Sequence, residues 1–114
     1  MGLKIYHNAR CSKSRQTLAL MQEAGAIFDV IAYLETPLTQ DELRLLRDQL
    51  GLETRDMMRR GEAVYKQLSL AEETDDETLL AAMAAHPILL ERPVVSNGQK
   101  AIIGRPPENV KALL

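Results

Sequence analysis

The opening third of the chain alternates short strand, helix and short strand, and that order constrains the fold more than any other feature. Leu3-Lys4-Ile5-Tyr6 reads as a strand. Residues 13–24 place Leu18, Met21 and Ala24 on one helical face, with Ser12 or Ser14 available as caps and Gly25 as a stop. Phe28-Asp29-Val30-Ile31-Ala32-Tyr33 reads as a second strand. Two strands joined by a helix run parallel, with a right-handed crossover.

The middle of the chain is helical. Thr39 and Glu42 form a capping box ahead of Leu43, Leu46 and Leu50, and Gly51 closes that helix. Short helices are predicted at about 54–60 and 62–68. Another starts near Asp75, carries Leu79, Leu80 and Met83, and ends at His86-Pro87. The tail then changes period. Val94-Val95-Ser96, Asn97-Gly98 and Lys100-Ala101-Ile102-Ile103 predict a β-hairpin with a type I′ turn. Pro106-Pro107 opens a final helix carrying Val110, Leu113 and Leu114. The sum is an α/β fold, a mixed four-stranded sheet flanked by helices. This is the thioredoxin-like arrangement, with a helical insertion at about 39–90 between the β-α-β and β-β-α parts. The pattern does not encode strand order. A length of 114 residues fits one domain, 1–114.

Composition narrows the function classes. The chain is 46% hydrophobic with no Trp and one Phe, so its core is built from Leu, Ile, Val, Met and Ala. A single cysteine cannot form an internal disulfide, which favours a reducing, cytoplasmic setting. No basic segment followed by a long apolar stretch marks a signal peptide. No apolar run approaches the ~20 residues that cross a bilayer, so no membrane association is expected. A net charge of −2 gives no bulk affinity for nucleic acid.

Cys11 falls at the first strand-to-helix junction, where backbone N–H groups and the helix dipole favour an anion. Its neighbours His7, Arg10, Lys13 and Arg15 add cationic character, and no Val, Leu, Ile or Phe lies between His7 and Arg15. Such surroundings suit a reactive thiolate rather than a buried apolar thiol. A lowered pKa alone gains little, because intrinsic nucleophilicity falls with a slope of ~0.4–0.5 as the pKa falls. The cations therefore make more sense as a seat for an anionic substrate. Ser14 stands where a Cys-x-x-Cys partner would be, so an outside thiol must resolve any adduct on Cys11.

Three distant arginines complete the pattern. Arg59 lies in the helical middle, Arg92 precedes Pro93 before the third strand, and Arg105 precedes Pro106-Pro107 after the fourth. On a thioredoxin-like fold the bond before Pro93 is expected to be cis and to face the thiol loop. Arg92 and Arg105 would then point toward Cys11, and arginine binds tetrahedral oxyanions through a fork of donors. Arg15 and Ser14, beside the thiol, are further candidate substrate-binding residues. His7 is a candidate catalytic group, as a cation or proton carrier, or else an imidazole closing a strand end. His86 reads as structural. No zinc-type ligand spacing and no glycine-rich phosphate loop is present.

The segments IYHNARCSKSR (5–15), YLETPLT (33–39), MMRRGEAVYKQLSLAEE (57–73), HPILLERPVV (86–95) and IGRPPENV (103–110) give the chain a family likeness. It resembles the ArsC-type, glutaredoxin-linked arsenate reductases, and among them the short chromosomal members. The resemblance implies Cys11 as the nucleophile that attacks arsenate, and Arg59, Arg92 and Arg105 as oxyanion ligands. It implies glutathione as the reducing co-substrate, glutaredoxin as the partner that clears the mixed disulfide, and no bound cofactor or metal. Ala9 stands where members often have proline, and Ser12-Lys13 replaces smaller residues of the longer enzymes. Two other classes fit the same residues. One is a thiol oxidoreductase acting on another oxyanion or a glutathionylated partner. The other is a regulator like the Spx-type proteins, which share the fold and bind RNA polymerase but use a Cys-x-x-Cys switch that Ser14 removes.

Overall fold

The computed structural model describes residues 2–114. The chain groups into two compact units: the residues up to Thr36 joined with Arg92–Leu114, and the segment Pro37–Glu91.

The first unit holds β1 (Leu3–Tyr6), α1 (Ser12–Glu23), β2 (Phe28–Ile31), β3 (Val94–Ser96), β4 (Ala101–Ile103) and a 3-10 helix, Pro107–Leu113. The strand order is β2-β1-β3-β4. β1 and β2 run parallel, with Leu3 opposite Phe28 and Tyr6 opposite Ile31. β1 is antiparallel to β3, and β3 to β4, with Ile5 opposite Val95 and Val95 opposite Ile102. This is the mixed, thioredoxin-like sheet that the alternation of elements predicts. Because side chains alternate along a strand, this register gathers Leu3, Ile5, Phe28, Val95 and Ile102 on one face. Met21 from α1 and Val110 from the C-terminal segment close over Ile5 and Val95 as one buried cluster. Each such fully buried side chain contributes roughly 1.5–3 kcal/mol.

Four local expectations need correction. α1 begins with Cys11 itself as the N-cap, in extended conformation, and neither Ser12 nor Ser14 caps it. The carbonyl of Cys11 accepts the first helical bond from Arg15 N–H at 3.0 Å, while the Ser14 hydroxyl is drawn to Asn8 N–H at 3.0 Å. β2 stops at Ile31 because the Ala32 carbonyl takes the N–H groups of Glu35 and Thr36 and turns the chain. In the hairpin, Asn97 N–H donates to the Lys100 carbonyl at 3.0 Å, which makes Gly98-Gln99 the central pair. Gly98 has φ 92, and Ser69 is the only non-glycine residue with positive φ among those described. The turn therefore follows the II′ pattern, since type I′ needs positive φ at both central residues. The last segment is 3-10 rather than α. A three-residue period aligns Pro107, Val110 and Leu113 on the core face.

The second unit holds α2 (Gln40–Leu50), α3 (Ala63–Gln67) and α4 (Asp76–Ala85), with 3-10 turns at Thr54–Met57, Leu70–Glu72 and Pro87–Leu89. The capping box is complete in both directions between Thr39 and Glu42, and Gly51 ends α2 with φ 67. The expected helices at 54–60 and 62–68 are shorter, a 3-10 turn and α3. Leu43, Leu46, Leu79, Leu80 and Met83 are buried between α2 and α4. Arg47 pairs with Asp76 at 2.5 Å and Arg44 pairs with Glu77 across the same two helices. No helix among the described residues is long and apolar enough to cross a membrane.

Candidate active site

β1 ends at Tyr6, and His7 N–H extends its ladder by one bond to the Ile31 carbonyl at 2.8 Å. The chain then makes a tight loop organised by Asn8. The Asn8 carbonyl accepts from Cys11 N–H at 3.0 Å, its Oδ1 accepts from Arg10 N–H at 3.0 Å, and its own N–H donates to Ser14 Oγ at 3.0 Å. Three bonds from one nearly buried residue fix Cys11 at the first position outside α1. Arg15 Nη1 braces the same loop through the Ala9 carbonyl at 2.8 Å.

The sulfur of Cys11 is partly exposed. Burial opposes its ionisation most strongly, but the backbone N–H of Ser14, the Arg92 guanidinium and the backbone N–H of Lys13 together outweigh it. The thiol pKa is lowered from the ordinary cysteine value as a result. The helix N-terminus therefore works here through its free N–H groups, as the position of Cys11 suggests.

Arg105 reaches the same sulfur. Its Nη2 lies 3.6 Å from Cys11 Sγ, and its Nε donates to the Arg92 carbonyl at 2.8 Å. Both arginines precede cis prolines, Arg92-Pro93 and Arg105-Pro106. The two segments touch closely. Gly104 N–H donates to the Pro93 carbonyl at 2.9 Å, and a Cβ on Gly104 would lie 2.9 Å from Pro93 Cγ and 2.8 Å from Thr17 Oγ1. Only glycine allows the Arg105 segment to approach Pro93 and α1 this closely.

His7 and Ser14 form a second layer. Ser14 is fully buried, and its hydroxyl lies 2.6 Å from His7 Nδ1. Burial first, and then the charge of Arg15, lower the His7 pKa. The lowered pKa disfavours the cationic form of His7, which weighs toward the proton-carrier and strand-end readings over that of a cation beside the thiol. Ser14 Oγ accepts from Asn8 N–H and also shares a bond with His7 Nδ1, in which the His7 tautomer sets which group donates.

A model of the ArsC family matches residues 6–113. The chain belongs to the ArsC family. It is 47% identical over 114 residues to an arsenate reductase of Neisseria meningitidis serogroup A, covering 98% of this chain and 97% of that one. It is 50% identical over 110 residues to an Escherichia coli K12 protein called YfgD and described as uncharacterized, with 95% and 92% covered. The solved structure of an arsenate reductase from Vibrio cholerae superposes with a TM-score of 0.96 at 51% identity, covering 100% of this chain and 98% of that one.

Within this ArsC chain, the sequence-predicted residues Cys11, Arg92 and Arg105 come together. His7 and Ser14 lie directly behind the thiol loop, and Arg15 braces it. Ser14 offers Cys11 its backbone N–H rather than its hydroxyl. Arg10 and Lys13 contribute through the backbone, and the Arg10 side chain is exposed. Arg59 belongs to the unit Pro37–Glu91. There its Nε binds Glu62 at 3.0 Å and its Nη1 binds Glu91 at 3.1 Å. Burial opposes its charge, but the two carboxylates outweigh that and hold its pKa above the ordinary arginine value.

Two residues of the site escaped the sequence reading. Asn8 is 7% exposed and anchors the loop. An asparagine three positions before a cationic thiol segment is a turn signal, since its side chain mimics a backbone carbonyl. Tyr33 is fully buried and faces Arg92 and Asn8. At the end of an apolar run it looks like any core aromatic, and nothing in the pattern separates it from one. Among the described residues, no group of His, Cys, Asp or Glu is placed to hold a metal ion.

Proposed function

We propose that the protein reduces arsenate to arsenite through Cys11, with glutathione as reductant and glutaredoxin as the partner that regenerates the thiol. The observation that carries this reading is the approach of Arg105 Nη2 to within 3.6 Å of the Cys11 sulfur, beside Arg92 at the N-terminus of α1. A thiolate and an oxyanion repel each other. Two guanidinium groups and the backbone N–H groups of the helix offset that repulsion and favour the charge that builds as sulfur meets arsenic.

The steps balance without a metal. The Cys11 thiolate attacks arsenic(V), and an arsenate hydroxyl takes up a proton from solvent and leaves as water, giving a thiol–arsenate ester. Glutathione thiolate then attacks the Cys11 sulfur, the S–As bond breaks, and its electron pair leaves with arsenic as arsenite. The two electrons come from the two thiols, which are left as a mixed disulfide. Glutaredoxin attacks the glutathione sulfur and frees Cys11. Having no second cysteine, the chain depends on these outside thiols for every turnover. A cytoplasmic, reducing setting supplies them.

Arg59 is a candidate oxyanion ligand on the family resemblance alone, and it would share its donors between an anion and Glu62 and Glu91. The names of the Neisseria meningitidis and Vibrio cholerae relatives support the substrate. A steady-state assay with arsenate, glutathione and glutaredoxin tests the reading. Arsenite should form with the full set and stop in Cys11→Ser. Turnover that persists in Cys11→Ser, or that never appears in the wild type, sinks it.

A further inference from the structure

Tyr33 has no part in the chemistry above, yet it is one of the most enclosed side chains of the first unit. Its placement follows from the parallel pairing of β1 and β2. Both strands end on the same edge of the sheet, so the Cys11 loop and the Ala32-Tyr33 segment leave it side by side. The Tyr33 side chain is fully buried. Its hydroxyl is shut off from solvent and makes no hydrogen bond of regular geometry among the described residues. A phenylalanine would fill the same volume without burying an unpaired O–H, so the oxygen calls for an explanation.

The surroundings supply one. The side chains that face the hydroxyl belong to Arg92 and Asn8. Asn8 Oδ1 accepts from Arg10 N–H, and the amide N–H2 of the same side chain is a donor suited to the phenol oxygen. Side chains from the two segments that carry the thiol loop and Arg92 thus face one buried phenol oxygen. Burial above all keeps the phenol protonated, although Arg92 and Asn8 pull the other way. We propose that Tyr33 is a positioning residue, whose phenol oxygen holds Arg92 and the Asn8 loop in the arrangement that keeps Arg92 facing Cys11. The contacts are loose in the resting protein and close up as negative charge gathers at the sulfur. Active-site hydrogen bonds are commonly long before substrate binds.

The proposal rests on the reading of Cys11 as the reactive thiol, and the experiment separates the two. The rate of Cys11 alkylation by iodoacetamide is measured against pH in the wild type and in Tyr33→Phe, alongside the melting temperature of each. The wild-type inflection should lie below that of free cysteine. In Tyr33→Phe it should rise by about half a pH unit, a roughly three-fold loss of thiolate on the acid side. The melting temperature should hold or increase, because a loosely bonded buried hydroxyl has been removed. In arsenate turnover the same variant should raise KM several-fold and change kcat by less than two-fold. A lowered wild-type inflection that stays put in Tyr33→Phe overturns the proposal alone, as does a fall in melting temperature with an unchanged profile, which would mark a merely structural hydroxyl. A wild-type inflection at the free-cysteine value overturns the reading of Cys11 and the proposal together. If Tyr33→Phe fails to fold, the ring signals of Tyr33 in wild-type NMR spectra decide. They should shift through the thiol titration, and an unresponsive ring overturns the proposal.

Discussion

Arg105 Nη2 stands 3.6 Å from Cys11 Sγ, although 94 positions of chain separate the two residues. The same guanidinium donates its Nε to the Arg92 carbonyl at 2.8 Å, so it binds the two other parts of the site at once. Arg105→Ala should raise KM for arsenate about 5- to 10-fold, the value of roughly one charge-assisted hydrogen bond on an exposed side chain. Arg105→Lys should recover only part of that. A lysine ammonium has no planar fork with which to hold the Arg92 carbonyl and face the sulfur together. Equal KM values for Arg105→Lys and the wild type would show that charge alone matters there.

Thiol reactivity should carry the signature of Arg92. The folded protein favours the deprotonated form of Cys11, so the thiol pKa lies below the ordinary value. Stability from this group is present above the ordinary pKa and is lost as pH falls through the lowered one. Arg92→Ala removes a donor and a charge, and the alkylation inflection should move up toward free cysteine. A profile that does not move would assign the acidity to the backbone N–H groups of Ser14 and Lys13.

The buried Ser14 hydroxyl serves both Asn8 N–H and His7 Nδ1. Ser14→Ala leaves these two groups without their partner and should cost about 1–3 kcal/mol, read by denaturant unfolding. Burial first, and then Arg15, hold the His7 pKa below the ordinary histidine value in the folded state. The wild type should therefore lose stability as pH falls below about 6.5, where the unfolded chain takes up a proton more readily. His7→Gln should flatten that part of the curve.

Gly104→Ala should be far more damaging than Gly61→Ala. The new methyl group at 104 meets Pro93 and Thr17, both buried, inside ordinary contact distance. Overpacking of this kind costs roughly 1–3 kcal/mol and would displace the adjacent Arg105. A Cβ at Gly61 meets nothing within 4 Å and the backbone there needs no positive φ, so that change should be neutral or mildly stabilising. Thermal melts and the KM of Gly104→Ala check both halves.

Much of this fold is written in local patterns. The Leu3–Tyr6 strand, the Thr39–Glu42 box and the stops at Gly25 and Gly51 each rest on residues close in sequence, so their signals survive without the tertiary structure. The meeting of Arg92 and Arg105 at Cys11 could be read only after a fold had been assumed. Sheet order depends on which strands pair across long loops, and no local period records that. Cys11 as the N-cap was hidden for a different reason. Serine is the stronger capping residue, but the Ser14 hydroxyl is engaged by Asn8 and His7, and Ser12 already lies inside the helix. Tyr33 was invisible because a buried ring with a functional oxygen has the same hydrophobic signature as one without.

The first unit is continuous in space but interrupted in the chain, with Pro37–Glu91 lying between its halves. During synthesis Cys11 leaves the ribosome before Arg92 and Arg105, the latter following it by 94 positions. A nascent or prematurely terminated chain therefore carries the cysteine without either guanidinium that attends it in the finished protein. Until β3 and β4 arrive, only the backbone N–H groups of Ser14 and Lys13 favour its thiolate, and the sulfur should be less acidic than in the finished protein. The full acidity of the thiol thus marks the arrival of β3 and β4, legible in ribosome-bound chains as a late increase in alkylation at near-neutral pH.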